Sequence, residues 1–350
     1  MKQARALANQ KRIAAEAGVS QSTVSLVLAG HRVNSDETSR RVLEAAERLG
    51  YRPNLLVRGM QTGKTGTVGV LMPPFDFYWS EVLYGIHDLL TGADHVPITL
   101  WTAHTGTRPR ERYGTGEGLQ QIHRLLDRRV DGVILWPPFA QLYLEHLHEF
   151  SSRNLPVVTI DHQLPADYNS DFVGSDEASG GRMIAEHLYT EGHRQIGQLA
   201  APSVATWATA RRKAFEDAIN EMRGTSLVTL EAPSGDTRLG IEPARAMLAR
   251  KNRPTAIFAA SDLYAKMVYE AAREINLNIP GELSVVGFSD DDFAQEMSPP
   301  LTTVRQPAYE IGRRAAEIVL GRSKGQIRGR GRHQELPVKL IVRQSTREIK

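Results

Sequence analysis

The most constraining stretch runs from Arg12 to Met60. Ile13, Ala14 and Ala17 recur at helical spacing, and Gly18 stops that first helix. Ser20 is an N-cap residue for a second helix with Val24, Val27 and Leu28 on one face. Only Gly18, Val19 and Ser20 separate the two helices. Two short helices joined by a glycine-bearing three-residue turn form a helix-turn-helix, whose second helix can enter a DNA major groove. A third helix is expected from Ser35, with Val42, Leu43, Ala46 and Leu49 inward and Gly50 ending it. A fourth is short: Asn54 can cap it, and Leu56, Val57 and Met60 share a face.

Charge agrees with a DNA-facing head. Residues 1–64 hold 11 Lys and Arg against 5 Asp and Glu, a net +6, while the remaining residues sum to −3. A basic head on a mildly acidic body suits contact with phosphates, although a solvated basic face has the same signature. With 350 residues, 41 % of them hydrophobic, the chain can bury two or three domains. The absence of cysteine excludes disulfides, thiolate metal sites and thiol nucleophiles. The basic N-terminus lacks the apolar run of a signal peptide, and no stretch approaches a membrane span, so a cytoplasmic location is expected.

From Gly66 onward short apolar runs alternate with amphipathic segments. Strands are predicted at Thr67–Met72, Val96–Ala103, Gly132–Trp136, Val157–Ile160, Ile196–Ala200, Ala256–Ala260 and Leu283–Phe288. Helices are predicted near Val82–Leu90, Leu119–Arg128, Ser179–Tyr189, Lys213–Met222 and Tyr264–Ile275. That alternation predicts doubly wound parallel sheets with ligand sites at the strand C-termini.

Two runs in the head, AGVSQSTVSLVLAG and RVLEAAERLGYRPN, resemble the headpiece of the lactose-repressor (LacI/GalR) family of bacterial transcription regulators. The runs RVDGVIL, LPVVTID, EGHRQIG, LSVVGFSD, PPLTTVRQP and LPVKLIVRQST extend the resemblance to about residues 12–346. More distantly, the core resembles periplasmic sugar-binding proteins. The resemblance implies an all-α helix-turn-helix headpiece (1–52) and a hinge helix and linker (53–64). An α/β periplasmic-binding-protein-like core of two doubly wound subdomains (65–350) would follow. The N-subdomain is expected at 65–163 plus 293–322 and the C-subdomain at 164–292 plus 333–346. Crossovers would fall near Gln163–Pro165, Asp291–Ala294 and Gly321–Arg332.

The implied function is a sequence-specific DNA-binding regulator, a repressor by default, controlled by a small ligand bound between the subdomains. In the resemblance Gln21, Ser22 and Leu26 read bases; glutamine can pair adenine in bidentate fashion, whereas leucine offers only apolar contact. Leu26 departs from the polar residues common there, and packing is its alternative. Ser20, Thr23, Ser25 and Arg32 are expected phosphate contacts. Asn54, Val57, Arg58 and Met60 belong to the hinge helix, with Met60 as the minor-groove wedge. At the start, Asn9-Gln10-Lys11-Arg12 replaces the family's usual entry, leaving open either an arm seeking phosphates or a poorly capped first helix.

For the effector the first candidates are Asp262, after IFAAS, and Arg211, four residues before Phe215; together they would form a carboxylate–guanidinium fork for sugar hydroxyls. Asp262 as a helix cap and Arg211 as an exposed arginine are the alternatives. Phe77, Tyr78, Asp161, Trp207 and Asp290 are further candidates. Ser289 and Ala214 depart from the usual acid and glycine.

The expected partners are palindromic double-stranded DNA, a small effector (a carbohydrate by resemblance) and a second copy of the chain, with no membrane. A dimer fits a two-fold operator, and the end at RQSTREIK carries no heptad extension. No cofactor, metal or enzymatic activity is expected. No strand leads into the glycine-rich Gly114–Gly118, Asp290–Asp292 lacks supporting ligands, and His146 and His148 point to different sides of a helix. A sugar receptor without DNA function is the rival reading, opposed by the headpiece. The basic stretch Gly325–Arg332 is unusual for the family: a mobile loop is expected, with an acidic or DNA contact as the alternative.

Overall fold

The computed structural model describes residues 9–28, 36–51, 59, 63–73, 77–101, 116–137, 144–165, 167–202, 206–233 and 237–349. The chain divides into two compact units, 1–66 and 67–350. The first contains α1 (Gln10–Ala17), α2 (Gln21–Leu28) and α3 (Asp36–Arg48). Asn9 caps α1, its side chain accepting from the Arg12 amide at 3.0 Å, and Gly18 closes the helix at φ 64°. The first helix is therefore well capped, and the atypical entry supplies the cap. Ile13, Ala17, Val24, Val27, Val42, Ala45 and Ala46 form the core of this unit. Leu43, expected inward, is 53 % exposed, and Ala45 is buried instead. Val42, Ala45, Ala46 and Leu49 follow the i, i+3, i+4, i+7 stripe, and position 43 falls off it.

The second unit holds two parallel sheets. In the first, β2 (Val96–Trp101), β1 (Thr67–Met72), β3 (Val133–Leu135), β4 (Val157–Ile160), β5 (Asp171–Ser175) and β11 (His333–Leu336) lie in that order. Val68, Val70 and Met72 point to one face, under α4 (Phe77–Gly92) and α11 (Ala308–Ser323). Leu71 points to the other, under α5 (Gly116–Asp127) and α6 (Leu144–Ser152). Alternation along a strand therefore feeds two cores, the signature of a sheet covered on both faces.

The second sheet runs β7 (Ser226–Glu231), β6 (Gln195–Ala200), β8 (Ala256–Ala259), β9 (Ser284–Val286). One face is covered by α7 (Glu177–Thr190) and α8 (Thr206–Glu221), the other by α9 (Thr237–Leu248) and α10 (Asp262–Glu274). β10 (Thr303–Arg305) pairs antiparallel with β12 (Lys339–Ile341), and single bridges tie β10's side of the chain to Val286 and Ser289.

The strand pairing moves all three expected crossovers. β5 pairs with β4, so Gln163–Pro165 is a loop inside the first subdomain and the chain leaves at Asp176. Asp291–Ala294 belongs to a short 3-10 turn of the second subdomain; the chain returns at Gln306–Pro307, between β10 and α11. The last passage is Pro337–Val338, between β11 and β12, because β11 pairs with β5 of the first sheet. The short DFVGS run is buried throughout and has no polar alternation to mark it as a strand, so the boundary that the resemblance implied was set before it.

Candidate nucleic-acid interface and effector cleft

In the first unit Ser20 is the hub of the turn. Its Oγ accepts from the Thr23 amide at 3.1 Å and lies 2.7 Å from Ser22 Oγ and 2.8 Å from Thr23 Oγ1. This N-cap fixes where α2 starts and so which side chains its first turn displays. Gln21, Ser22 and Leu26 are exposed on one side of α2, with Leu26 at 48 %, while Val24 and Val27 are buried on the other. Leu26 is thus outside the core. Thr23 and Ser25 are half-buried at its margin. Arg32, Asn54, Val57, Arg58 and Met60 fall outside the described residues.

In the second unit a cleft of about 380 Å³ opens between the subdomains. Phe77, Tyr78 and Glu81 line it from the first, and Asp290, Arg305 and Arg343 from the second. Tyr78 is at the start of α4 and Asp161 just past β4; the phenol donates to Asp161 Oδ1 at 2.9 Å. Burial, reinforced by the Asp161 charge, holds the Tyr78 hydroxyl well above its ordinary pKa, so it remains a donor. Behind it Trp79, Trp136 and His162 meet edge to face, with centroids 5.6 and 5.3 Å apart. Burial pushes His162 down to about 4, so this aromatic wall is neutral.

Asp290 is locked between two guanidinium groups, Arg305 Nε and Arg343 Nη2, each at 2.6 Å. Arg211 and Asp262, the candidates for a carboxylate–guanidinium fork, are both buried and bonded within the chain. Arg211, 3 % exposed, donates from Nε to Glu177 Oε2 and from Nη1 to Ala260 O at 2.7 Å, and lies 3.6 Å over the Phe288 ring. Burial raises the Glu177 pKa while Arg211 opposes it. Asp262 is fully buried; Oδ1 accepts from Thr303 Oγ1 at 2.6 Å and Oδ2 from the Asp291 amide at 2.8 Å. The physical reason is desolvation: an ionised group this deep needs partners from its own chain, whatever else it binds. Nor does Asp262 cap α10, since Ser261 is the N-cap and carries no side-chain bond. Trp207 lies in α8, its side chain outside the described residues.

Sequence reasoning missed Glu177 and Gln306. The Gln306 amide donates to Ser175 Oγ and Glu177 Oε1, both at 3.1 Å, bridging two crossovers and the Arg211 pair. The run VRQP contained the signal, but its meaning depended on knowing that the chain crosses there. Arg305, Arg343, Trp136 and His162 were missed as well, for they come together only when separate strand ends meet.

A model described as bacterial regulatory proteins, lacI family, matches residues 11–54, and one described as a periplasmic binding protein-like domain matches 185–346. The chain is 30 % identical over 321 residues to the ribose operon repressor of Haemophilus influenzae, covering 91 % of this chain and 92 % of that one. The chain belongs to the LacI family. Among solved structures, the lac repressor dimer bound to operator and an anti-inducer superposes with a TM-score of 0.82 at 25 % identity, covering 97 % of this chain and 99 % of that one. A LacI family transcriptional regulator from Enterococcus faecalis V583 with bound ribose gives 0.69 at 26 %, covering 81 % and 100 %. This LacI-family chain is a DNA-binding transcriptional repressor and not an enzyme. No helix among its described residues is long and apolar enough to cross a membrane.

Proposed function

We propose that the repressor is a homodimer whose grip on a palindromic operator is set by a carbohydrate bound between the core subdomains. The observation that carries this reading is the cleft at the strand C-termini, walled by Phe77 and Tyr78 on one side and the Arg-locked Asp290 on the other. Aromatic faces suit the apolar side of a sugar ring, and Asp161, Arg305 and Arg343 offer acceptors and donors for hydroxyls. The ribose carried by one structural relative supports the same class.

On the DNA side, Gln21, Ser22 and Leu26 read base edges, and Ser20, Thr23, Ser25 and Arg32 meet phosphates. The hinge segment 53–64, with Asn54, Val57, Arg58 and Met60, orders in the minor groove of the central step. Effector binding changes the angle between subdomains, which in the dimer changes the spacing of the two hinge segments and so the grip on DNA. Arg211 and Asp262 serve this site from behind: Arg211 holds Glu177, and Asp262 holds the turn that presents Asp290.

The test begins with selection of bound duplexes from a random DNA pool by full-length protein. Ribose and other pentoses and hexoses are then titrated against the recovered duplex. An enriched palindrome is expected, with one sugar changing its affinity by about 5–150-fold and the duplex changing sugar affinity by the same factor. Equal sugar affinity with and without the duplex would sink the coupling.

A further inference from the structure

The Gly325–Arg332 stretch, expected to be mobile, is pinned. Arg322 donates from Nε and Nη2 to the two oxygens of buried Asp171, at 2.9 and 2.8 Å. The same guanidinium reaches the carbonyls of Gly329 and Arg330, both at 2.8 Å. Asp171 Oδ1 also accepts from the Arg332 amide at 2.7 Å, and Asn169 Oδ1 from the Gly331 amide at 2.6 Å. A Cβ on Gly331 would stand 2.0 Å from Ser170 O, so only glycine permits this approach. His333 stacks on Phe172 at 4.6 Å. A buried Arg–Asp pair thus spends its hydrogen bonds on shaping a surface loop.

What the loop displays is positive charge. Lys324, Arg328, Arg330 and Arg332 are all exposed, and no acidic residue lies between 324 and 332. Among the described residues neither Arg330 nor Arg332 makes an ion pair. Both line a concavity of about 580 Å³ with Tyr168, Asn169 and His333, where Asp167 is the one acid in the lining. Exposed guanidinium forks with glycine between them, beside aromatic rings, suit phosphates and the sugars next to them.

Position selects which phosphates. The loop precedes β11, at the strand-N-terminal edge of the first sheet, opposite the effector cleft. β1 begins at the same edge, with Thr67, where the chain arrives from the DNA-binding unit. β11 and β1 are four strand spacings apart, about 19 Å, within the breadth of one duplex. The connection tethers any DNA held by that unit to the core, which raises its effective concentration at the core's surface.

We propose that Arg328, Arg330 and Arg332 form a second, sequence-independent contact to duplex DNA, on phosphates flanking the site read by the headpiece. The inference rests on the chain's being a DNA-binding repressor, and on none of the effector assignments.

The experiment compares full-length protein with the triple variants R328A/R330A/R332A and R328K/R330K/R332K, on a long random-sequence duplex from 50 to 200 mM salt. Arg322 and Gly331 stay in place, and equal melting temperatures show that the loop's frame survives. Each phosphate contact steepens the fall of log affinity with log salt by about 0.9, so the alanine variant should lose about 2.7 from the slope for each protomer whose loop touches the duplex. Across that salt range its affinity should fall about 40-fold less than that of the parent for each such protomer. The lysine variant, which keeps the charge, should retain most of the slope. An unchanged slope in the alanine variant overturns the proposal. So does loss of binding to polyglutamate without any change in the duplex slope, which would make the loop a dock for acidic protein. A parent that binds no duplex at 50 mM overturns the DNA-binding reading itself, a failure distinct from the other two.

Discussion

Asp262 shows how burial changes what a residue can be. As a letter in the chain it is an acid after a strand, available to any ligand. In the fold it is enclosed, and desolvation pushes its pKa from 3.8 to about 6, against the opposing hydrogen bonds from Thr303 and Asp291. The folded value exceeds the unfolded one, so its contribution to stability is fully present below about pH 4 and is lost as pH rises through 6. At full ionisation the cost is on the order of 3 kcal/mol, since each tenfold change in proton affinity is worth about 1.4 kcal/mol. Asp262→Asn removes that titration. Denaturant unfolding from pH 4.5 to 7.5 should show the Asn variant gaining on the parent as pH rises. Parallel stability curves would mean that this carboxyl does not ionise in that window.

At the scale of elements, glycines decide how closely helices approach. A Cβ on Gly312 would lie 1.9 Å from Val82 O, and one on Gly85 2.0 Å from Tyr309 O, so α4 and α11 cross backbone to backbone. Gly181 does the same against Arg211 O, at 2.2 Å, where α7 meets α8. These contacts hold the start of α4, with Phe77 and Tyr78, and the Arg211 guanidinium where the cleft needs them. Gly312→Ala should destabilise the core by about 1–3 kcal/mol, the usual cost of overpacking. Gly85→Ala should do likewise, and the double variant should cost less than the sum, because one outward shift of α11 relieves both clashes. Strict additivity in thermal or denaturant unfolding would show that the two glycines act independently.

For the whole molecule the decisive feature is the set of three crossovers at Asp176, Gln306–Pro307 and Pro337–Val338. Gln306 joins the first two through Ser175 and Glu177, and Glu177 continues to Arg211 in the second subdomain. Under the proposed mechanism, a change of angle between subdomains would act on these bonds, which makes them the place to test for a link between effector and operator affinities. Gln306→Ala leaves two buried acceptors short of a donor, a loss of about 1–3 kcal/mol. If those bonds differ between the two states, the coupling between effector and DNA should change by a comparable factor, roughly 5-fold or more. Calorimetric titration of the effector with and without operator measures it. A lower melting temperature with unchanged coupling would reduce Gln306 to structural glue.

Much of this was legible in the sequence because it is local. The cap at Ser20, the stop at Gly18, the inward stripe of α2 and the apolar runs of β1 and β4 depend on residues within one or two turns of each other. Short-range sterics and periodicity determine such features before the chain folds. Leu43 marks the limit, since its neighbours also carry a hydrophobic stripe and one position of helical phase separates core from solvent. The crossovers, the Arg211–Glu177 and Asp262–Thr303 pairs, the Gly85–Gly312 crossing and the Arg322 clamp on the Gly/Arg loop were not legible. Each joins residues far apart in the chain, and its partner is chosen by which strand ends and helix faces the closed sheets bring together. The sequence alone pointed to a DNA-binding head on an α/β core of two doubly wound subdomains. Only the tertiary structure decided which charges face the cleft and which are consumed in bonds within the fold, because desolvation acts on neighbours in space.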